Sequence, residues 1–467
     1  MRRGSLAALA AVLGLTLALV GAAPAAADHH LTDGASVNLI DRHSGRCADV
    51  ISQSTADEAE VGQYDCNGGL NQLWRLRDLG NGYVQLAARH SGKCLDVTGA
   101  SGDDGAQIIQ WPCSSGENQQ WRFQDTGDGY VQLVARHSGK CLDVRDGSTA
   151  NGARLEQRTC GSAQSQQWEL SLVSNPALPG LFADPNITVF DGTYYLYPTT
   201  DGFAGWSGTQ FHAFSSTDLV HWTDHGVVLD VDADISWADN SAWAPTIAEK
   251  DGRYYFYFSA GRASGDTSKH LGVAVADSPT GPFHDALGHP LVSAGAYGGQ
   301  AIDPAVFTDD DGRSYLYWGQ GASHQVPLND DMTSFDASQV RTYDPSGYNE
   351  GSFVIERGGT YYFMWSENDT RSEDYRVAYA TGSSPTGPWS GRAGVILQKD
   401  LSQGIKGTGH HSVVQVPGTD EWYIAYHRFA IPDGDGTHRE TMIDRLYFNA
   451  DGSIRPVVPT LDGVDPL

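Results

Sequence analysis

The chain has 467 residues, a formal net charge of -27, 12 Trp and 21 Tyr. That length leaves room for two or three domains, each with its own core, and the acidic balance argues against a nucleic-acid partner and for a neutral polymer. The aromatic content points the same way, because sugar rings offer apolar C–H faces that pack on aromatic planes, although aromatics also fill all-β cores.

Residues 1–27 carry Arg2 and Arg3, an apolar run and the small-residue end Ala25-Ala26-Ala27. This pattern predicts a secretory leader, too short for a membrane span, with the mature chain starting near Asp28. The expectation is an exported, extracellular protein without a membrane anchor, and a monomer is the default. All six cysteines, Cys47, Cys66, Cys94, Cys113, Cys141 and Cys160, fall in one stretch, with 19 positions between the members of each successive pair. In an oxidising compartment they pair as Cys47–Cys66, Cys94–Cys113 and Cys141–Cys160. No C-x-x-C or H-E-x-x-H motif favours metal binding instead.

Residues 36–172 hold three copies of a unit of roughly 47 residues. Each opens on Arg-His-Ser-Gly-(Arg/Lys)-Cys-(Ala/Leu)-Asp-Val, at Arg42, Arg89 and Arg136, and closes on Gln-x-Trp, ending at Trp74, Trp121 and Trp168. A threefold repeat of short strands, each copy too small to fold alone, predicts a closed β-trefoil with the tryptophans in a shared core. With both motifs in phase with the cysteines, the stretch resembles the ricin-type trefoil lectins, a class of carbohydrate-binding module. The resemblance implies a sugar pocket in each copy, built from the Asp after the Cys, an aromatic platform and the polar pair before the Trp. The first pocket would use Asp49, Tyr64, Asn71 and Gln72, and the second Asp96, Trp111, Asn118 and Gln119. The third keeps Asp143 and Gln166, but Arg158 replaces the platform and Ser165 the Asn. Two working pockets and one weak or silent one are expected. Gln and Asp in trefoils also bond backbone groups in turns, so a structural role stands beside the binding one.

Val173 to Pro179, short and proline-bearing, reads as a stiff linker over residues 173–179. Beyond it, the stretch Leu181 to Pro198 places an Ala-Asp-Pro step before an apolar run, an Asp191-Gly192 turn and a second strand, a β-hairpin with a carboxylate at its entrance. The unit recurs at Trp243-Ala244-Pro245, Ile302-Asp303-Pro304, Glu350-Gly351-Ser352 and His410-His411-Ser412. The aromatic doublets that follow are roughly 47 to 61 residues apart, about one four-stranded blade each. The fold class read from the chain is therefore all-β, a β-trefoil followed by a five-bladed β-propeller over residues 180–467. In such a ring Asp184, Trp243, Asp303, Glu350 and His410 converge on one end of the axis. Asp309-Asp310-Asp311-Gly312 lacks the ligand order of a calcium loop and reads as a hairpin turn.

One Asp before a Pro commonly just starts a turn. Two matched Asp-Pro steps with Glu350 at the same repeat position suggest instead the carboxylates of glycoside cleavage by inversion: a base that activates water, an acid that protonates the leaving oxygen, and a third carboxylate that raises the acid's pKa. The motifs ADPNI, IDPAVF and NEGSFV then identify a resemblance to the five-bladed glycosidases of family 43, among them α-L-arabinofuranosidases and β-xylosidases. The resemblance implies Asp184 as general base, Glu350 as general acid and Asp303 as the pKa modulator. It gives Trp243 a wall of the sugar pocket, brings Arg439 to the substrate and acid, and sets His410 on the axis beside a calcium or sodium ion. The chemistry itself requires no cofactor. The expected function is release of terminal α-L-arabinofuranose from plant cell-wall polysaccharide, with β-xylosidase or endo-arabinanase action as the alternatives within the family. A non-catalytic, two-module sugar-binding protein is the alternative of another class.

Overall fold

The computed structural model describes residues 35–431 and 433–467; the expected leader lies outside them. Twelve short strands from Ser36–Asp41 to Trp168–Leu172 make the trefoil. Trp74, Trp121 and Trp168 are wholly buried in its core. Their indole N–H groups donate to the carbonyls of Ala48, Leu95 and Leu142 at 3.1, 3.1 and 3.3 Å. The closing Trp of each repeat thus ties down the residue after the opening Cys, which is why the two motifs keep phase. The three disulfides form as the spacing predicts, each worth about 3 kcal/mol on a loop-entropy basis.

The 173–179 segment is not a spacer in solvent. Val173 N–H bonds Ser36 O on the trefoil side, while the buried Asn175 side chain donates to Ile443 O and Thr460 O, both 3.0 Å away, and accepts from Ile443 N–H at 2.7 Å. Leu178 is fully buried in the propeller core. Proline content concealed this: the segment satisfies its polar groups by wedging under the last blade and the C-terminal tail.

Four four-stranded sheets and one of three strands form the propeller. The innermost strands are Phe182–Phe190, Asn240–Lys250, Ala305–Thr308, Tyr348–Arg357 and Gly409–Gln415, and they neighbour one another around the axis. Each pairs with the strand that carries the aromatic doublet. The Ser-Pro-Thr-Gly-Pro turns are latches between blades, since Tyr197 and Tyr317 donate to Pro279 O and Pro385 O at 2.6 and 2.5 Å.

At the entrance of every inner strand the backbone turns left-handed. The φ angles are +47° at Asp184, +45° at Ala244, +57° at Asp303, +64° at Gly351 and +42° at His410. Outside the third blade, the pairing register shifts around the same point, as expected of a bulge that re-aims a side chain. This corrects the repeat phase. Asp184, Asp303 and His410 occupy the bulge itself, whereas Trp243 and Glu350 precede it by one residue. The carboxylates therefore approach the axis from two levels.

Candidate active site

The bulges open into a cavity of about 260 Å³ at one end of the axis, lined by Asp184, Asp303, Glu350, Trp206, Trp243, Gln320, His410 and Arg439, with the Asp369-Thr370-Arg371 loop at its side. The structure thus brings together all three expected carboxylates, each buried, with Trp243.

Asp184 is held by one cation and two imidazoles. Arg439 Nη1 donates to its Oδ1 at 2.9 Å, with His427 Nδ1 at 3.0 Å and His410 Nδ1 at 3.4 Å from the same oxygen. Burial alone would raise this carboxyl, but Arg439 and the two histidines outweigh it and hold it well below the usual carboxylate range. Arg439 is itself anchored by Asp201, which accepts from Nε at 2.8 Å and from the backbone N–H at 3.0 Å. Arg439 is thus no surface ion-pair residue: it is buried and bonded to the carboxylate expected to be the base.

Glu350 accepts from Tyr375 OH on Oε1 and from Gln320 Nε2 on Oε2, both at 2.7 Å. Burial nonetheless raises its pKa, with the Asp184 charge adding to the effect. Asp303 is raised well above the ordinary value, by burial first and then by the charges of Glu350 and Asp184. Like-charge coupling is mutual, so each of Asp303 and Glu350 favours a proton on the other. A carboxylate held down and a carboxyl pair pushed up, facing one enclosed space, are what acid–base cleavage of an acetal requires.

His410 lies at the inner end of the fifth blade. Its Nδ1 faces Asp184 and, at 3.7 Å, Asp303, as part of the cavity wall. The ring with both nitrogens buried and unpartnered is the neighbouring His411, on the strand beside the one that holds the equally unpartnered Asn186 Oδ1. Among the described residues no group of three or more His, Cys, Asp or Glu is placed to hold a metal. These neutral donors do not make an ion site by themselves.

Sequence reasoning missed Trp206, Gln320, Tyr375, His427 and Asp201. Trp206 donates to Gly436 O, and its own carbonyl accepts from Trp243 Nε1, both at 2.7 Å, so two indoles form one side of the cavity. A Trp flanked by Gly in a loop with no core to fill was the available signal. Gln320 follows the aromatic strand of the third blade, and no repeat counterpart marks it.

In the trefoil, Tyr64 and Trp111 are the exposed platforms, 43% and 38% accessible. Asn118 Nδ2 donates to both oxygens of Asp96 at 3.0 Å, and burial pushes Asp49 up to about 6. Gln72, Gln119 and Gln166 are buried, and each donates to its repeat's Asp at 2.7–2.8 Å and accepts a backbone N–H. Their amides are consumed inside the protein, so they orient the Asp and do not reach a sugar. In the third repeat Arg158 lies at 3.4 Å from Glu156 where the platform would stand.

The profile of glycosyl hydrolases family 43 matches residues 173–454, and that of the ricin-type β-trefoil lectin domain matches residues 35–171. The chain is 42% identical over 306 residues to the β-D-galactofuranosidase XynD of Aspergillus niger, which covers 62% of this chain and 86% of the relative. It is 32% identical to the arabinoxylan arabinofuranohydrolase of Bacillus subtilis, over 63% of this chain and 66% of the relative. A solved family 43 β-xylosidase/α-arabinofuranosidase from a compost metagenome superposes with a TM-score of 0.51 at 32% identity, over 59% of this chain and 94% of that one.

Proposed function

The chain belongs to glycosyl hydrolase family 43 and is a glycosidase, and from that premise we propose that it releases terminal α-L-arabinofuranose from plant cell-wall polysaccharide. The observation that carries this reading is the cavity itself, in which Arg439 holds one carboxylate low while burial and neighbouring charge raise two more. Asp184 activates a water molecule, Glu350 protonates the departing oxygen, and Asp303, coupled to Glu350 through burial and like charge, modulates its pKa. The anomeric centre inverts. At about 260 Å³ the space lies below the roughly 300 Å³ at which drug-sized sites begin, which suits one terminal sugar against the Trp206 and Trp243 indoles. The trefoil holds the enzyme on the polymer through its first two pockets, and the leader exports it.

A second reading is favoured by the galactofuranosidase relative. β-D-Galactofuranose has the ring configuration of α-L-arabinofuranose and one more exocyclic carbon, so the same carboxylates serve both. Hydrolysis of nitrophenyl α-L-arabinofuranoside, β-D-galactofuranoside and β-D-xyloside, with the product anomer followed by NMR, decides. Turnover chiefly of the xyloside, or a retained anomer, would overturn the furanosidase or the inversion respectively.

A further inference from the structure

The amide of each bulge residue is clasped by the preceding blade. Ala244 N–H donates to Thr199 Oγ1 at 2.7 Å, Asp303 N–H to Ser259 Oγ at 2.9 Å and His410 N–H to Ser366 Oγ at 2.9 Å. The clasping residue always stands five positions after the start of the aromatic doublet. In the third blade that place is Gly319, where a Cβ would lie 2.1 Å from Ala322 O; no hydroxyl is available, and the Gly351 N–H turns to the Asp303 carboxylate. In the fifth blade the place is His427, whose Nδ1 is 3.2 Å from the amide of Asp184. The fold asks only for an acceptor at these positions, and hydroxyls serve elsewhere. An imidazole appears where the clasped residue is the base.

His427 also touches the Asp184 carboxylate, 3.0 Å from Nδ1 to Oδ1, and stacks on Tyr375 with ring centroids 5.5 Å apart and planes 6° from parallel. The Tyr375 hydroxyl donates to Glu350. Both rings are fully buried, and the second is admitted by Gly409, whose Cβ would meet the Tyr375 ring at 2.3 Å. From the stacked rings, one polar tip thus reaches the base and the other the acid.

We infer that Tyr375 and His427 are positioning residues, a stacked spacer that sets the separation between Asp184 and Glu350 and thereby the gap that water and the glycosidic oxygen must share. The inference rests on the acid and base roles proposed above. Inversion tolerates only a window of separations, about 6.5 to 9.5 Å, and two rigid aromatic rings in van der Waals contact hold such a distance better than flexible chains would. His427 is also faced by Arg439 and by His410, whose ring centroid is 6.3 Å away. Glu350 is also faced by Asp303 and Arg371.

The test is the pH profile of kcat/KM, with kcat, KM and Tm, for the full-length enzyme and three variants. Tyr375→Phe keeps the stack and removes only the donor to Glu350; the acid then holds its proton to higher pH, and the alkaline limb moves up while the acid limb stays. His427→Ser restores the clasp used in the other blades but removes the spacer. Its kcat falls on the order of 10²-fold, as for a misplacement near 1 Å, and KM changes little. Thr199→Val, which removes only the clasp on the Ala244 amide, lowers Tm and moves neither limb. Should Tyr375→Phe leave the alkaline limb in place, or His427→Ser keep wild-type kcat, the spacer is refuted. A wild type that hydrolyses none of the glycosides, or whose Glu350→Gln variant stays active on natural linkages, would overturn the proposed roles, and the spacer with them.

Discussion

Arg439→Met removes the charge from the centre of the site while keeping an apolar stem of similar length. Arg439 is 3% exposed and bonds both Asp184 and Asp201, so the variant leaves two buried carboxylates uncompensated. Breaking a buried ion pair from one side costs about 3–5 kcal/mol, or roughly 6–20 °C in Tm at about 2–4 °C per kcal/mol. The sign of the pH dependence follows from the shifts. In the wild type Asp184 titrates well below its ordinary value, so its contribution is complete above the unfolded value near 3.9 and is lost as pH falls through the folded value. Asp201 sits above its ordinary value through burial, even with Arg439 present. Without the guanidinium, burial raises both groups, so the variant is penalised most near neutral pH and least near about pH 4, where both take up protons. Thermal unfolding of wild type and variant between pH 4 and 7 measures this, and the activity profile should lose its acid limb to higher pH. A Tm deficit equal at pH 4 and pH 7 would refute the ion-pair account and point to lost packing.

Glu350→Gln should abolish release from natural linkages, leave polysaccharide retention by the trefoil intact, and spare more activity on glycosides whose leaving group needs no protonation; equal loss on both substrate kinds would speak against an acid role. Trp111→Ala should weaken retention on insoluble arabinoxylan without altering turnover of a soluble aryl glycoside, measured by pull-down beside kinetics, and loss of both would deny that the modules act separately. Arg158→Trp supplies the platform that the third repeat lacks and should strengthen that retention, whereas no gain would show that the Asn missing at Ser165 limits the pocket. Reduction of the three disulfides should lower the trefoil transition by about 3 kcal/mol per bridge and leave the cysteine-free propeller's transition in calorimetry unchanged.

The legible parts of the site were those that repeat. Asp184 and Asp303 stood out because Asp-Pro recurs at one phase of the hairpin, and Glu350 because its strand echoes theirs. Where a residue has no repeat counterpart or performs its task through a partner in another blade, periodicity carries no signal: Tyr375, Gln320 and Trp206 belong to this group. His427 was hidden for a different reason. It occupies a repeat position, but the pattern there is an acceptor rather than a residue type, and only the bonds to successive bulges expose the equivalence of Thr199, Ser259, Ser366 and His427. The pocket glutamines of the trefoil were legible as a motif and open as to role; burial and saturated hydrogen bonding assign them to orienting the aspartates.

By itself the sequence determined the two-module all-β architecture, the disulfide pairs and the three carboxylates, because turn chemistry, cysteine spacing and repeated strands are local properties written along the chain. The tertiary structure alone decided how those carboxylates are charged. Arg439 and Asp184 are 255 positions apart and meet 2.9 Å apart only when the ring closes. Burial and neighbouring charge, which raise Asp303 and Glu350, do not exist until five blades surround one axis.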